Sequence, residues 1–143
     1  MRSIAKKLAA VALLASSLIF TGCGQAQIGS VDVDKVMEES PRVKTLMAEA
    51  EGKIKEAQEK FQQDYEGKEL SQEDAMKLQM DFQRKIQGIN QGYASQIRSR
   101  MDIVINEISQ EKNIDVVINN SASDKMIFKG AIDITDDVIK KMQ

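Results

Sequence analysis

From Pro41 to about Asn113 the apolar residues recur at helical spacing, with one break at Gly67-Lys68-Glu69-Leu70-Ser71. Ser40-Pro41 supplies a helix start, with Ser at the N-cap and Pro at the first helical position. The first helix carries a seam of Val43, Met47, Ala50, Ile54, Ala57 and Phe61, stepping 4, 3, 4, 3 and 4, which is heptad spacing. Gly67 ends it. Ser71 with Asp74 three residues on resembles a capping box and starts a second helix. Its seam runs Ala75, Leu78, Phe82, Ile86, Ile89, Tyr93, Ile97, Met101, Val104 and Ile108. The mean step is about 3.67 residues, an eleven-residue type of repeat, so this helix is expected to run straight rather than supercoil tightly. Folded at the tip, the chain brings Phe61 near Leu78, Ile54 near Phe82 and Ile86, and Val43 near Tyr93 and Ile97. A paired rod of this length is an arm, and it needs a body to stand on.

The body must come from the flanks. Ile28–Val33 alternates apolar and polar residues after a Gly, as a strand does, and Asp34–Glu39 fits a short helix. Ile114–Asn119 reads as a second strand and Met126-Ile127-Phe128 as a third. Asp133-Ile134-Thr135 caps a last helix, Asp136–Met142. The fold class expected is α+β, mainly α by residue count: a small β-rich oligomerisation body carrying a long antiparallel α-helical hairpin. The divisions are residues 1–22 as a signal peptide, 23–40 with 114–143 as the body, and 41–113 as the arm. A body near 40 residues with no disulfide or metal rarely stands alone. Self-association is the remaining remedy.

The N-terminal segment has the signature of an export signal: Arg2, Lys6 and Lys7, then an apolar run from Leu8 to Phe20, then Thr21-Gly22-Cys23. That run is shorter than the roughly 20 residues a membrane span needs. The alternative is a buried N-terminal helix. Phe20-Thr21-Gly22-Cys23 resembles the lipobox of bacterial lipoproteins, with Phe where Leu is usual, and makes Cys23 the expected lipid attachment site through its nucleophilic thiol. The rival is ordinary cleavage after Ala26, which discards Cys23. Two or more acyl chains anchor stably where one does not. Loss of residues 1–22 removes three positive charges and moves the formal net charge from −2 to −5. Nucleic acid, which wants a basic stripe, is not an expected partner.

The chain has no His and a single Cys. This removes Cys–His and Ser–His nucleophiles and the usual zinc sites, so no catalytic residue, metal or cofactor is expected. Asp32 fits a turn or interface role, and Asp136-Asp137 fit a helix start, where the macrodipole favours carboxylates.

The flanks resemble the Skp/OmpH family of periplasmic chaperones. The resemblance lies in Ile28–Pro41 (IGSVDVDKVMEESP), in Ile114–Ser121 (IDVVINNS) and in Asp133–Lys140 (DITDDVIK), in that order, with the helical insertion between the first two. It implies a homotrimer whose arms enclose a cavity and hold unfolded outer-membrane proteins without ATP. Three departures are visible. A first helix of about 26 residues gives an arm of roughly 39 Å, which is short. Residues 41–113 hold 12 Lys/Arg against 13 Asp/Glu, where family arms tend to be basic. Cys23 points to a membrane-tethered form in the periplasm. A structural coiled-coil envelope lipoprotein that bridges layers or docks a protein is the reading from another class, and a secreted enzyme is more distant.

Two sets of residues fit a holding role. Tyr65, Leu70, Met76 and Met80 lie beside the seam near the tip, and Met suits surfaces that accept many partners; the alternative is that they close the hairpin end. Gly52, Gly88 and Gly92 share a height and fit a hinge, each costing roughly 0.8–1 kcal/mol against Ala inside a helix. The alternative there is close helix packing, with Gly making room for Tyr93 and Met47.

Overall fold

The computed structural model describes residues 26–127 and 129–143. The expected signal segment 1–22, Cys23 and Phe128 lie outside the described residues.

Strand β1 (Ile28–Val31) leads into helix α1 (Val33–Glu39), then α2 (Pro41–Glu66) and α3 (Gln72–Lys112). Strand β2 (Val116–Asn119), a short 3-10 turn at Ala122–Asp124, strand β3 (Ile132–Asp133) and helix α4 (Thr135–Lys141) complete the chain. The fold is α+β and mainly helical, with a three-stranded sheet.

The hairpin forms where local chemistry placed it. Ser40 is fully buried, and its hydroxyl accepts from the Val43 N–H (3.4 Å) to cap α2. At the tip, Gly67 closes α2, and a Cβ there would sit 2.7 Å from the Gln63 carbonyl oxygen. Ser71 caps α3, accepting from Asp74 N–H (3.1 Å) and donating to its carboxylate (2.7 Å). At the far end Asn113 takes a left-handed conformation (φ 54°), which its short polar side chain tolerates. With 41 residues, α3 extends roughly 62 Å, well beyond α2.

The seam differs from expectation near the root of the arm. Leu46 is buried and Met47 is 47% exposed. Successive helix positions turn by about 100°, and the buried face through Val43, Leu46, Ala50 and Ala57 is centred on the Leu46 side. Farther out, Phe61 lies beside Leu78 but stacks on Phe82 (centroids 4.6 Å). Phe82 therefore takes its ring partner from Phe61, two turns nearer the tip than Ile54.

The sheet is the largest departure. Its order is β2-β1-β3, and both pairings are parallel: Ile28 with Val116 through Val31 with Asn119, and Gly29 with Ile132. The first strand stops at Val31, because Asp32 becomes the N-cap of α1 and accepts from Lys35 N–H (3.0 Å). The expected strand at Met126-Ile127-Phe128 is not one at Met126 and Ile127. There the Asn120 carboxamide imitates a strand neighbour, accepting from both N–H groups and donating to the Ile127 carbonyl. The third strand is the two-residue Ile132–Asp133 instead. Residue 135 rather than 136 opens α4, with the Asp133 carboxylate accepting from Thr135 N–H and hydroxyl.

The core sits under the sheet, where α1, α4 and the roots of α2 and α3 converge. Val36, Val43, Val104, Ile108, Ile134, Val138 and Met142 are all essentially inaccessible to solvent.

Candidate functional site

No helix of the described residues is long and apolar enough to cross a membrane, and no group of three or more His, Cys, Asp or Glu among them could hold a metal. The surfaces that could act are two: the hairpin arm and the outer face of the sheet.

Alternation along β1 turns Val31 inward to the core, and Gly29 lies against Ile114 and Val117. Ile28 and Ser30 therefore face the other way, with their register partners Val116 and Ile118. Around Ile28 and Ile118, the residues Met126, Ile127, Lys129, Gly130 and Ala131 wall an open hollow of 430 Å³. Ser30 on this face is buried, but Ile28, Val116 and Met126 are 40%, 50% and 66% exposed, so among the described residues part of this face keeps apolar surface open. Sequence reasoning missed these residues as a surface. Four residues in which Ile28 and Val31 fall on opposite faces give the sequence no clear mark of which face lies outward.

The ends of the body are tied to the arm by charge. Lys112 meets Asp137 (3.0 Å), and Lys141 meets Glu107 (3.4 Å) and Glu111 (2.5 Å). Hydrogen bonding to Glu111 raises the Lys141 pKa. Lys35 of α1 bonds Asp136 of α4 (2.9 Å), which raises the lysine and lowers the carboxyl. Asp136 and Asp137 stand in the first turn of α4, and each is also paired with a lysine. The Asp32 carboxylate caps α1, and its N–H donates to the Thr135 hydroxyl (2.9 Å).

Along the arm, Tyr65 stacks on Phe61 (5.7 Å), which continues to Phe82. Tyr65, Met76 and Met80 are exposed, with Met76 at 57%, and Leu70 is half-buried. Met76 and Met80, four residues apart, share one face of α3. The four tip residues thus do not form one cluster: Tyr65 joins the aromatic stack, and the two Met stand on the outside of the other helix.

Gly52, Gly88 and Gly92 are all exposed, and no atom comes within 4 Å of a Cβ built on any of them. They do not make room for Tyr93 or Met47. Tyr93 instead lies under Lys53, whose ammonium is 5.5 Å from the ring centroid. At the arm's root Arg42, Leu46, Ser95, Ser99, Arg100 and Ile103 line a wide groove. The Arg100 guanidinium in it already donates to the Lys141 carbonyl (3.1 Å).

Such an arrangement offers many weak contacts on a rod and a partly uncovered sheet, not a pocket with convergent reactive groups. Comparison with protein-family models gives one match, "Outer membrane protein (OmpH-like)", over residues 27–142. Comparison with curated proteins finds no match. The matched span takes in every strand and helix described above, so the chain belongs to the OmpH-like (Skp/OmpH) family, a family of periplasmic chaperones and not of enzymes.

Proposed function

We propose that the protein is an ATP-independent holdase that works as a homotrimer and shelters unfolded outer-membrane proteins between its arms. The observation that carries the reading is the exposed apolar surface of Ile28, Val116 and Met126 at the foot of a hairpin that projects from a small core. Burying that face between copies removes apolar surface from water at roughly 25 cal/mol per Å². It also sets several arms around one space. Among the described residues no concavity is large enough to enclose a client, whereas copies joined at the foot would create one.

Within this reading, Tyr65, Leu70, Met76 and Met80 contact the client at the mouth of the cavity. Gly52, Gly88 and Gly92 let the arms bend for larger clients; open space at each Cβ leaves a flexible position rather than a packed one. Cys23, after removal of residues 1–22, carries the lipid that holds the trimer at a membrane facing the periplasm. The body is residues 23–40 with 114–143, and the arm 41–113.

The closed aromatic seam at Phe61 and Phe82 fits a second reading, a stiff coiled-coil lipoprotein that bridges envelope layers or docks a protein. An aggregation-suppression assay with an unfolded β-barrel client separates the two. A chaperone keeps the client soluble in a complex with three copies per particle; a bridging rod leaves it to aggregate. Mass spectrometry of the mature N-terminus tests the anchor.

A further inference from the structure

Residues 86–97 of α3 contain no charged side chain, from Ile86 after Lys85 to Ile97 before Arg98, in a chain that is 29% charged. Over a similar height α2 carries Glu49, Glu51, Lys53 and Lys55. Apart from Ser95, the exposed polar residues of this stretch are amides. Gln83, Gln87 and Gln91 follow one another at four-residue steps and are all exposed; with Asn90, Phe82 and Ile86 they line an open groove of 390 Å³. The Gly88 and Gly92 positions beside them leave the backbone open to approach.

We propose that this uncharged amide ladder, rather than the tip, is the main surface on which the arm holds its client, and that its occupant is an extended, uncharged stretch of unfolded polypeptide. This rests on the holdase reading above. A carboxamide offers the donor and acceptor of a peptide group, so a row of them pairs with backbone regardless of sequence. Steps of four residues on a helix rise about 6 Å. Alternate residues of an extended chain are about 6.8 Å apart. Three successive amides therefore stay close to register with about five residues of an extended segment. Strands of a membrane β-barrel alternate apolar and polar residues, which suits Phe82 and Ile86 set beside the amides. Arg84 and Lys85 border the first rung, but from Ile86 onward the absence of charge completes the match, since a charge covered by an uncharged strand would be buried without a partner.

The test uses the full mature protein and an outer-membrane β-barrel diluted from urea. Gln83→Glu, Gln87→Glu and Gln91→Glu together are compared with Gln58→Glu, Gln62→Glu and Gln63→Glu on α2, which add the same charge at exposed positions. Client affinity is expected to fall by about tenfold or more in the α3 variant, a step worth roughly 1.4 kcal/mol, and to change less than about twofold in the α2 variant. Equal affinity in both overturns the inference, while the holdase reading stands. Failure of the unsubstituted protein to hold the client overturns both. A photo-crosslinker replacing Gln87 alone, which leaves the helix otherwise intact, is expected to mark the client. Marking only another copy of the chain makes the ladder an arm–arm contact and overturns the inference.

Discussion

The root and the outer arm are built from similar residues but are held by different means. At the root, side chains from α1, α2, α3, α4 and β1 converge, and seven of them are essentially out of solvent. Ionic and hydrogen-bonded ties cross between elements there. Beyond Ala57, no described side chain of the hairpin is fully buried; Phe61, Leu78 and Phe82 remain half-exposed. Two helices side by side can cover only one stripe of each. The lesson is that stability is concentrated at one end. The other end keeps apolar surface and low local stability, which are the properties that binding segments draw on.

The contrast is broken most severely by Ile108→Ala, a buried truncation at the root. It should destabilise the fold by about 2–5 kcal/mol, against less than half of that for Leu78→Ala in the arm, both read by urea unfolding. Comparable losses would mean that the two regions are equally packed. Gly29→Ala attacks the root by overfilling, because the new Cβ would lie 3.0 Å from Ile114 Cγ2; a loss of about 1–3 kcal/mol is expected. Gly52→Ala, Gly88→Ala and Gly92→Ala act in the opposite direction. Each should favour the helix by about 1 kcal/mol, since no neighbour resists the methyl group. Amide exchange along the arm should slow while exchange at the root is unchanged. An arm with the same exchange rates has no hinge there.

The smallest effect is electrostatic. Asp136 titrates below its ordinary 3.8 because of Lys35, so its contribution is whole above pH 3.8 and fades as pH falls through the lowered folded-state value. Lys35 titrates above 10.5, so its share is whole below that value and fades as pH rises through the raised one. Asp136→Asn should melt slightly lower than the parent at pH 7 and together with it in strong acid. A gap that persists in acid would assign the difference to packing.

The hairpin was legible because its signals are local: Ser40 and Ser71 cap their own helices, Gly67 must approach Gln63, and apolar spacing extends over many turns. Choosing Leu46 over Met47 was not legible. Both satisfy a step of three or four from Val43, and only the convergence at the root selects between them. The sheet was legible in its first two strands and not in its order. Ile132–Asp133 is too short to show alternation, and the apolar Met126-Ile127 resembles a strand more than its replacement does. What holds Met126 and Ile127 is a single Asn side chain six and seven residues before them, whose bonds leave no periodic trace. Of the candidate surface, the tip Met residues stood out because they break the seam. The open part of the sheet face did not, since Ile28 and Val31 look alike until their register is known.

One consequence follows from β1 lying between two partners that come late in the chain. The Gln27 N–H meets Asp115 across 88 residues, and the Asp32 N–H meets Thr135 across 103. A polypeptide emerging N-terminus first thus carries its earliest strand unmatched until residues 116–119 have appeared, and half-matched until 132–133 follow. The hairpin, made of neighbours in sequence, can zip beforehand at little entropic expense. Assembly is in that sense self-timed: the rod is ready before the foot is closed, and the face that would recruit other copies exists only once the strands after the hairpin have followed.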